Sequence, residues 1–427
     1  MPGASFGIYS GYDRVAHHAT NLACSGPFPH PATARESFTA TARESFRATV
    51  RESFRASRVP ALPGLRSRTA PPVRVPRVPR VQLVEVRVTN ALPVLDERLR
   101  GTKFVALGTS SILNSPTQTG MDFWSLNPYV GCEFGCSYCY ARYAHRYVVE
   151  RARDAGRLSE DQLPEFRGPH GWEAFEQRIF VKEQILSALE HDLQRYFRSV
   201  SSTVRPSDTI VIGTATDPYQ PAERRFRLTR QVLERLACCE ELSVGLITKS
   251  PLVARDIDVL QRVQARNDLE IYVSLITVDA ALIRKVEVRT PLPAVRLRAL
   301  RRLTAAGLNA GLIVAPVLPG VTDDLPRLEA LFGAALDAGA RFLHAGPLRL
   351  YPAIRDRFLP VLEQHFPELA GRYRRAYARQ SAAPRAYAVA LTRRIRRLQQ
   401  RFGFPVNDGM RDRYRPRREP AQRELGL

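Results

Sequence analysis

Three cysteines within eight residues, Cys132-Glu133-Phe134-Gly135-Cys136-Ser137-Tyr138-Cys139, are the densest concentration of reactive side chains in the chain. Three thiolates on so short a loop can hold three corners of a cubic [4Fe–4S] cluster, and the fourth iron is then open to an outside ligand. Gly131 and Gly135 allow the backbone to bend closely around a metal centre, where a side chain would crowd it. Tyr138 supplies an aromatic face beside the third thiol. The competing chemistry is a structural zinc site, which wants four protein ligands, usually in paired C-x2-C spacings. The remaining cysteines are Cys24 and the adjacent Cys238-Cys239, and His145 lies six residues beyond Cys139. That set supplies no second pair with zinc spacing, so the loop favours the cluster.

Such a loop needs a scaffold, and the chain beyond it alternates strand and helix. Strands are expected over 208–213, 242–248, 269–276, 309–315 and 341–345, where apolar runs are bounded by polar and turn residues. Helices are expected over 140–153, 223–239, 252–265, 280–286, 294–306 and 325–338. With a first strand just before the cysteines, the count is six β/α units; Ile179-Phe180-Val181 could add a further short strand. Repeated βα units with apolar strands imply a parallel sheet covered by helices. The fold class expected is α/β, a partial (β/α)6 TIM-type barrel.

In parallel barrels the chemistry gathers at the C-terminal ends of the strands. After the second expected strand come Thr214-Ala215-Thr216-Asp217-Pro218-Tyr219-Gln220-Pro221-Ala222-Glu223, whose polar groups could meet an amino group; the structural alternative makes Asp217-Pro218 a turn and Glu223 a first-turn helix acid. After the third come Thr248, Lys249 and Ser250. Lys249 is one of only four lysines, against 60 arginines, and its ammonium could pair with a carboxylate. Ser274 interrupts the apolar fourth strand and could reach a ligand or a backbone group. Glu287, Arg289 and Arg296 flank Pro291 and Pro293, either as an ion-pair clamp or as solvated helix charges. The small residues of 309–316 read as ordinary strand packing, and Cys238-Cys239 as small buried hydrophobes.

The cysteine loop resembles the signature of the radical S-adenosylmethionine (SAM) enzymes. Three stretches, Asn127-Pro128-Tyr129-Val130-Gly131-Cys132, Thr216-Asp217-Pro218-Tyr219-Gln220-Pro221-Ala222-Glu223 and Thr248-Lys249-Ser250-Pro251, look like the spore photoproduct lyase-like branch of that superfamily, over about residues 100–370. The resemblance implies a [4Fe–4S] cluster on Cys132, Cys136 and Cys139. It implies SAM as second cofactor, with Lys249 and Ser274 as contacts and the strand-end polar groups Thr216 and Asp217 as candidates to meet its amino group, and an external one-electron reductant of flavodoxin or ferredoxin type. It further implies cleavage of SAM to a 5′-deoxyadenosyl radical that abstracts hydrogen from a substrate. One departure bears on the reaction. Thymine-dimer lyases carry a hydrogen-donor cysteine just after the second strand, where this chain has Thr214-Ala215-Thr216. Repair of a DNA photoproduct by that mechanism is therefore disfavoured, and the sequence names no substrate.

The formal net charge of +22 in 427 residues is uneven. Residues 1–100 hold 15 Arg and 7 acids, residues 351–427 hold 18 Arg and 7 acids, and the 250 residues between carry only +3. Basic ends can attract nucleic acid, which makes it a candidate substrate recruited by the Arg-rich C-terminal helices; a general compositional bias toward arginine is the alternative. The eight-residue repeat at Ala34–Phe38, Ala42–Phe46 and Val50–Phe54, followed by six prolines between Pro60 and Pro79, predicts a disordered extension over 1–80. A lead-in over 81–120 is expected to open with a strand at Val81–Val88. The barrel core is expected over 121–350, and a helical basic region over 351–427 ends in a disordered tail from Asn407. No run of 18 apolar residues and no secretory leader is seen, and few, clustered cysteines suit a reducing compartment, so a cytoplasmic protein without a membrane role is expected.

Overall fold

The computed structural model of the chain describes residues 94–97, 101–167, 174–200, 203–204, 206–406 and 415–416. The expected disordered segment over 1–80 and the expected strand at Val81–Val88 lie outside these residues.

In chain order the strands are β1 (Val94–Glu97), β2 (Lys103–Gly108), β3 (Leu113–Asn114), β4 (Trp124–Leu126), β5 (Tyr129–Val130), β6 (Arg178–Glu183), β7 (Thr203–Val204), β8 (Ile210–Ile212), β9 (Ser243–Thr248), β10 (Asp268–Ser274), β11 (Ala310–Val317), β12 (Leu343–Pro347) and β13 (Arg415–Pro416). The main sheet runs β12-β11-β10-β9-β8-β4-β3. Its pairs from β4 through β12 are all parallel, and β3 joins β4 antiparallel. This is the expected six-unit parallel architecture, open between its two edges. β8 is buried throughout, as is β10 after its first residue, which explains their unbroken apolar runs: both faces are covered.

Expected and observed elements agree within a residue or two, with informative exceptions. The expected 223–239 helix is two helices, Glu223–Phe226 and Leu228–Leu236, broken at Arg227 with φ 52°. The break lets the Glu223 carboxylate turn back and accept the Thr229 N–H (3.0 Å) and Arg230 N–H (3.2 Å), two donors that open the second helix. The expected 252–265 helix begins as a 3-10 turn, Pro251–Asp256, before Ile257–Arg266. Ser250 caps that turn by accepting the Leu252 N–H.

The Ile179-Phe180-Val181 run is a strand, but in a second sheet of order β1-β2-β6-β5. β2 pairs parallel with β6, and β5 pairs antiparallel with it. Lys103–Gly108 was absent from the expected strands, because six residues with both charge and glycine carry a weak alternation. Phe180 and Val105 pack with Val130, Val149 and Phe166 beneath the Arg142–Asp154 helix.

The C-terminal region is helical at Pro352–His365, Pro367–Ala376 and Arg385–Phe402, and it is integrated into the core. Gln399 donates to the Leu343 carbonyl of edge strand β12 (2.8 Å), and Tyr373 donates to the Pro319 carbonyl (2.7 Å). Within the tail expected to be disordered from Asn407, β13 pairs antiparallel with β7. Among the described residues no helix is long and apolar enough to cross a membrane.

Candidate active site at the strand ends

Because β4 to β12 run parallel, their C-terminal ends share one rim. The chain passes from β4 through the short β5 into the cysteine loop, Thr214–Thr216 leave β8, Lys249 leaves β9, and Ser274 ends β10. Cys132 and Cys136 are buried, and Cys139 is half-buried.

The loop is tied down from three directions. From the segment after β8, Thr216 Oγ1 (2.6 Å) and Gln220 Nε2 (3.1 Å) both donate to the Gly131 carbonyl, while Glu133 N–H donates to Gln220 Oε1 (3.0 Å) and Ala222 N–H to Glu133 Oε2 (2.7 Å). From the C-terminal end of the Ala280–Val286 helix, the Val286 carbonyl accepts both N–H (3.0 Å) and Oγ (2.9 Å) of Ser137. From behind, Glu176 joins two guanidinium groups: Arg142 (2.6 Å) and Arg289. Arg142 also donates to the Cys136 carbonyl (2.9 Å) and Arg289 to the Glu133 carbonyl (2.8 Å). Gly131 (φ +92°) and Gly135 (φ +61°) provide the left-handed turns, and a Cβ on Gly135 would lie 2.6 Å from Glu176 Oε2.

Each residue expected at the site has a definite place. Thr216 is buried against the Gly131 carbonyl. Asp217 accepts from Thr248 Oγ1 (2.7 Å), Lys249 N–H (2.7 Å) and Tyr219 N–H (2.9 Å), so its carboxylate binds the ends of β8 and β9 together and makes the anticipated turn. Burial raises the Asp217 pKa against these bonds. Lys249 Nζ donates to Ser274 Oγ (3.0 Å), stands 3.8 Å from Glu287 Oε1, and lies 5.9 Å from the centre of the Tyr138 ring. Burial opposes the Lys249 charge, but Glu287 and the nearby thiols outweigh it, and its pKa is raised.

Glu287 and Arg296 form a buried ion pair, whereas Arg289 is exposed and pairs separately with Glu176. Glu287 and Arg296 are fully buried and paired with each other. Arg296 further donates to the carbonyls of Ser274 (2.9 Å) and Pro291 (2.8 Å). Burial works against the Glu287 carboxylate, yet Arg296 and Lys249 hold its pKa down at about 2. Tyr138 donates its hydroxyl to the same carboxylate. Glu176, Arg142 and Gln220 as clamps were not foreseen. Their signal was faint, since nothing in a linear sequence separates a buried charge from a solvated one.

Burial lifts the pKa of Cys132 and of Cys136, partly opposed at Cys132 by the backbone N–H groups of Phe134 and Asp217 and at Cys136 by Lys249. Thiols in that setting lose their protons to a metal and not to bulk water. Among the described residues no three His, Cys, Asp or Glu side chains converge on a single ion. His145, the alternative zinc ligand, points away: its Nε2 contacts the Arg178 carbonyl (3.0 Å), its ring lies 5.2 Å from Phe180, and burial pushes its pKa down to about 4.

Residues 126–330 match the sequence pattern of the Radical SAM superfamily. An uncharacterized protein of Mycobacterium tuberculosis is 31% identical over 328 residues, 72% of this chain and 88% of that protein. The chain belongs to the radical SAM superfamily. Radical SAM proteins use a [4Fe–4S] cluster and SAM, and this one is an enzyme of that class. Another uncharacterized relative, from Methanocaldococcus jannaschii, is 26% identical over 255 residues, 60% of this chain and 80% of that one. A solved spore photoproduct lyase variant superposes with a TM-score of 0.49 at 14% identity, covering 70% of this chain and 79% of that one.

Proposed function

We propose that Cys132, Cys136 and Cys139 ligate the [4Fe–4S] cluster, and that Lys249 and Ser274 receive the carboxylate of SAM beside it. The observation that carries this reading is the geometry at the strand ends: Lys249 Nζ, 3.0 Å from Ser274 Oγ, lies 5.9 Å from the ring centre of Tyr138 in the cysteine loop and so presents a cation beside that loop. An ammonium has three donors; Ser274 takes one, and the 3.8 Å approach to Glu287 is too long for a hydrogen bond.

With cluster and SAM bound and an electron supplied, the pair furnishes a 5′-deoxyadenosyl radical for hydrogen abstraction. The protein's own residues position and enclose. Thr216, Gln220 and Asp217 hold the cysteine loop against β8 and β9, and Arg142, Glu176 and Arg289 close it from behind. Tyr138, buried with the Lys249 ammonium 5.9 Å from its ring centre and Phe358 packed edge-on against it, screens the inner side of the loop from water. The electron comes from an external carrier, and the half-buried Cys139 marks the more accessible side of the loop.

Lys249→Ala tests the reading. Iron and sulfide content should stay at the wild-type level, while SAM affinity, measured by calorimetry under anaerobic conditions, falls about 10- to 100-fold, the loss expected of a charge-assisted bond. Unchanged affinity refutes the assignment.

The substrate reading with a specific observation behind it is nucleic acid. Arg393, Arg394, Arg396, Arg397 and Arg401 of the Arg385–Phe402 helix are all exposed, although Arg394 donates to the Asp323 carbonyl and Arg401 pairs with Glu329. Charge reversal of Arg393 and Arg397 should flatten the salt dependence of single-stranded DNA or RNA binding, because each lost phosphate contact lowers the slope by about one. An unaltered slope, or no binding near physiological salt, discards this substrate class.

A further inference from the structure

Glu287 faces two ways. Its Oε2 is bound to the scaffold: it accepts from Thr290 Oγ1 (2.9 Å) and from Arg296, which is itself anchored on the carbonyls of Ser274 and Pro291. Its Oε1 looks toward the site, accepting from Tyr138 of the cysteine loop and standing 3.8 Å from Lys249 Nζ. One carboxylate therefore connects β10, the segment after the Ala280–Val286 helix, the cluster loop and the lysine at the end of β9. A fully buried carboxylate is expensive to desolvate, and two apolar residues would fill the space of the Glu287–Arg296 pair at less cost. An arrangement of this kind keeps its ions for what they position.

We infer that Glu287 is the positioning residue for Lys249: it keeps the ammonium directed at the cysteine loop and in register with Tyr138, so that the lysine meets the ligand already oriented. This rests on the assignment of Lys249 as the SAM anchor. Without the Glu287 charge, Lys249 and Arg296 would be two cations near one strand end with no anion between them, and the lysine side chain, four methylenes long, would be free to swing to solvent. Glu287 touches no ligand itself. It acts through Lys249, and that makes a distinct prediction: removing it should do nothing further once Lys249 is gone.

The experiment is a double-mutant cycle on the iron-loaded full-length protein, with SAM as the titrant and iron and sulfide measured for each variant. Lys249→Ala and Glu287→Gln should each weaken SAM binding about 10- to 100-fold. The doubly substituted protein should bind no more weakly than Lys249→Ala alone, since two residues acting through one contact are not additive. Should Glu287→Gln fail to load iron, Glu287→Asp replaces it in the cycle, keeping the charge against Arg296 while shortening the reach to Lys249. Additive losses, or a Glu287 variant with wild-type affinity, overturn the inference. Lys249→Ala with wild-type affinity overturns the underlying assignment instead.

Discussion

Tyr138 and Glu287 are 149 residues apart in sequence and share a buried hydrogen bond, the tyrosine donating to the carboxylate. The bond ties the space between the second and third cysteines to the far half of the sheet. Tyr138→Phe keeps the ring against Phe358, whose centroid is 6.4 Å away, and removes only the hydroxyl. The expected loss is about 1–3 kcal/mol for a carboxylate left short of one donor, with iron content retained. Urea denaturation alongside an iron assay reads both.

Replacing Cys132, Cys136 or Cys139 by Ala should each abolish iron loading on anaerobic reconstitution. Cys238→Ala and Cys239→Ala should leave it intact, because Cys239 is buried and accepts from Arg235 (3.1 Å), away from the strand-end rim. Stoichiometric zinc in place of iron in the wild-type protein would refute the cluster assignment.

Gly135→Ala places a methyl group where Glu176 and Arg289 meet, at a backbone φ of +61°. Backbone strain together with displacement of the Glu176–Arg289 pair should destabilise the protein by about 1–3 kcal/mol. Loss of the loop's rear support should also lower iron occupancy, visible in the same assay. A neutral substitution here would mean that Glu176 is not a clamp.

His145 should give the stability curve an acid limb. The folded state keeps the ring neutral down to about 4, by burial, whereas the ring in the unfolded chain takes up its proton near 6.5. Unfolding therefore binds a proton between those values, and stability falls as pH drops from 6.5 toward 4, by about 3 kcal/mol in all. In His145→Phe the slope across that window should shrink, whatever the absolute stability. Denaturant midpoints at several pH values decide it.

Much of this could be seen in the linear chain. The cysteine spacing, the six parallel strands and the strand-end position of Lys249 follow from local patterns, because parallel strands buried on both faces show up as apolar runs; Ser274, read as interrupting its strand, instead ends it. What escaped was relational. Glu287, Arg289 and Arg296 look like any charges near a helix start, and their pairing becomes visible only once the sheet brings residue 287 beside residue 138. The break at Arg227 was hidden for the same reason, since a good helical pattern gives no warning that Glu223 is needed at the start of the next helix. β2 belonged to a second sheet whose partner, β6, lies some 75 positions away. The residues most active in shaping the site were those whose partners are far off in sequence.

The contact between Gln399 and Leu343 has a consequence for how the chain must be handled. β12 ends the main sheet, and an uncovered edge strand offers free backbone groups to any neighbouring chain. Gln399 occupies one such carbonyl, and the Arg349–Ala382 bridge with the Leu350–Ser381 hydrogen bond (2.7 Å) continues the cover beyond the strand. The Arg385–Phe402 helix and the segment just before it thus guard part of this edge. A chain cut after Leu350 would lose that guard and Phe358 with it, and precipitation should follow before any question of substrate could be asked.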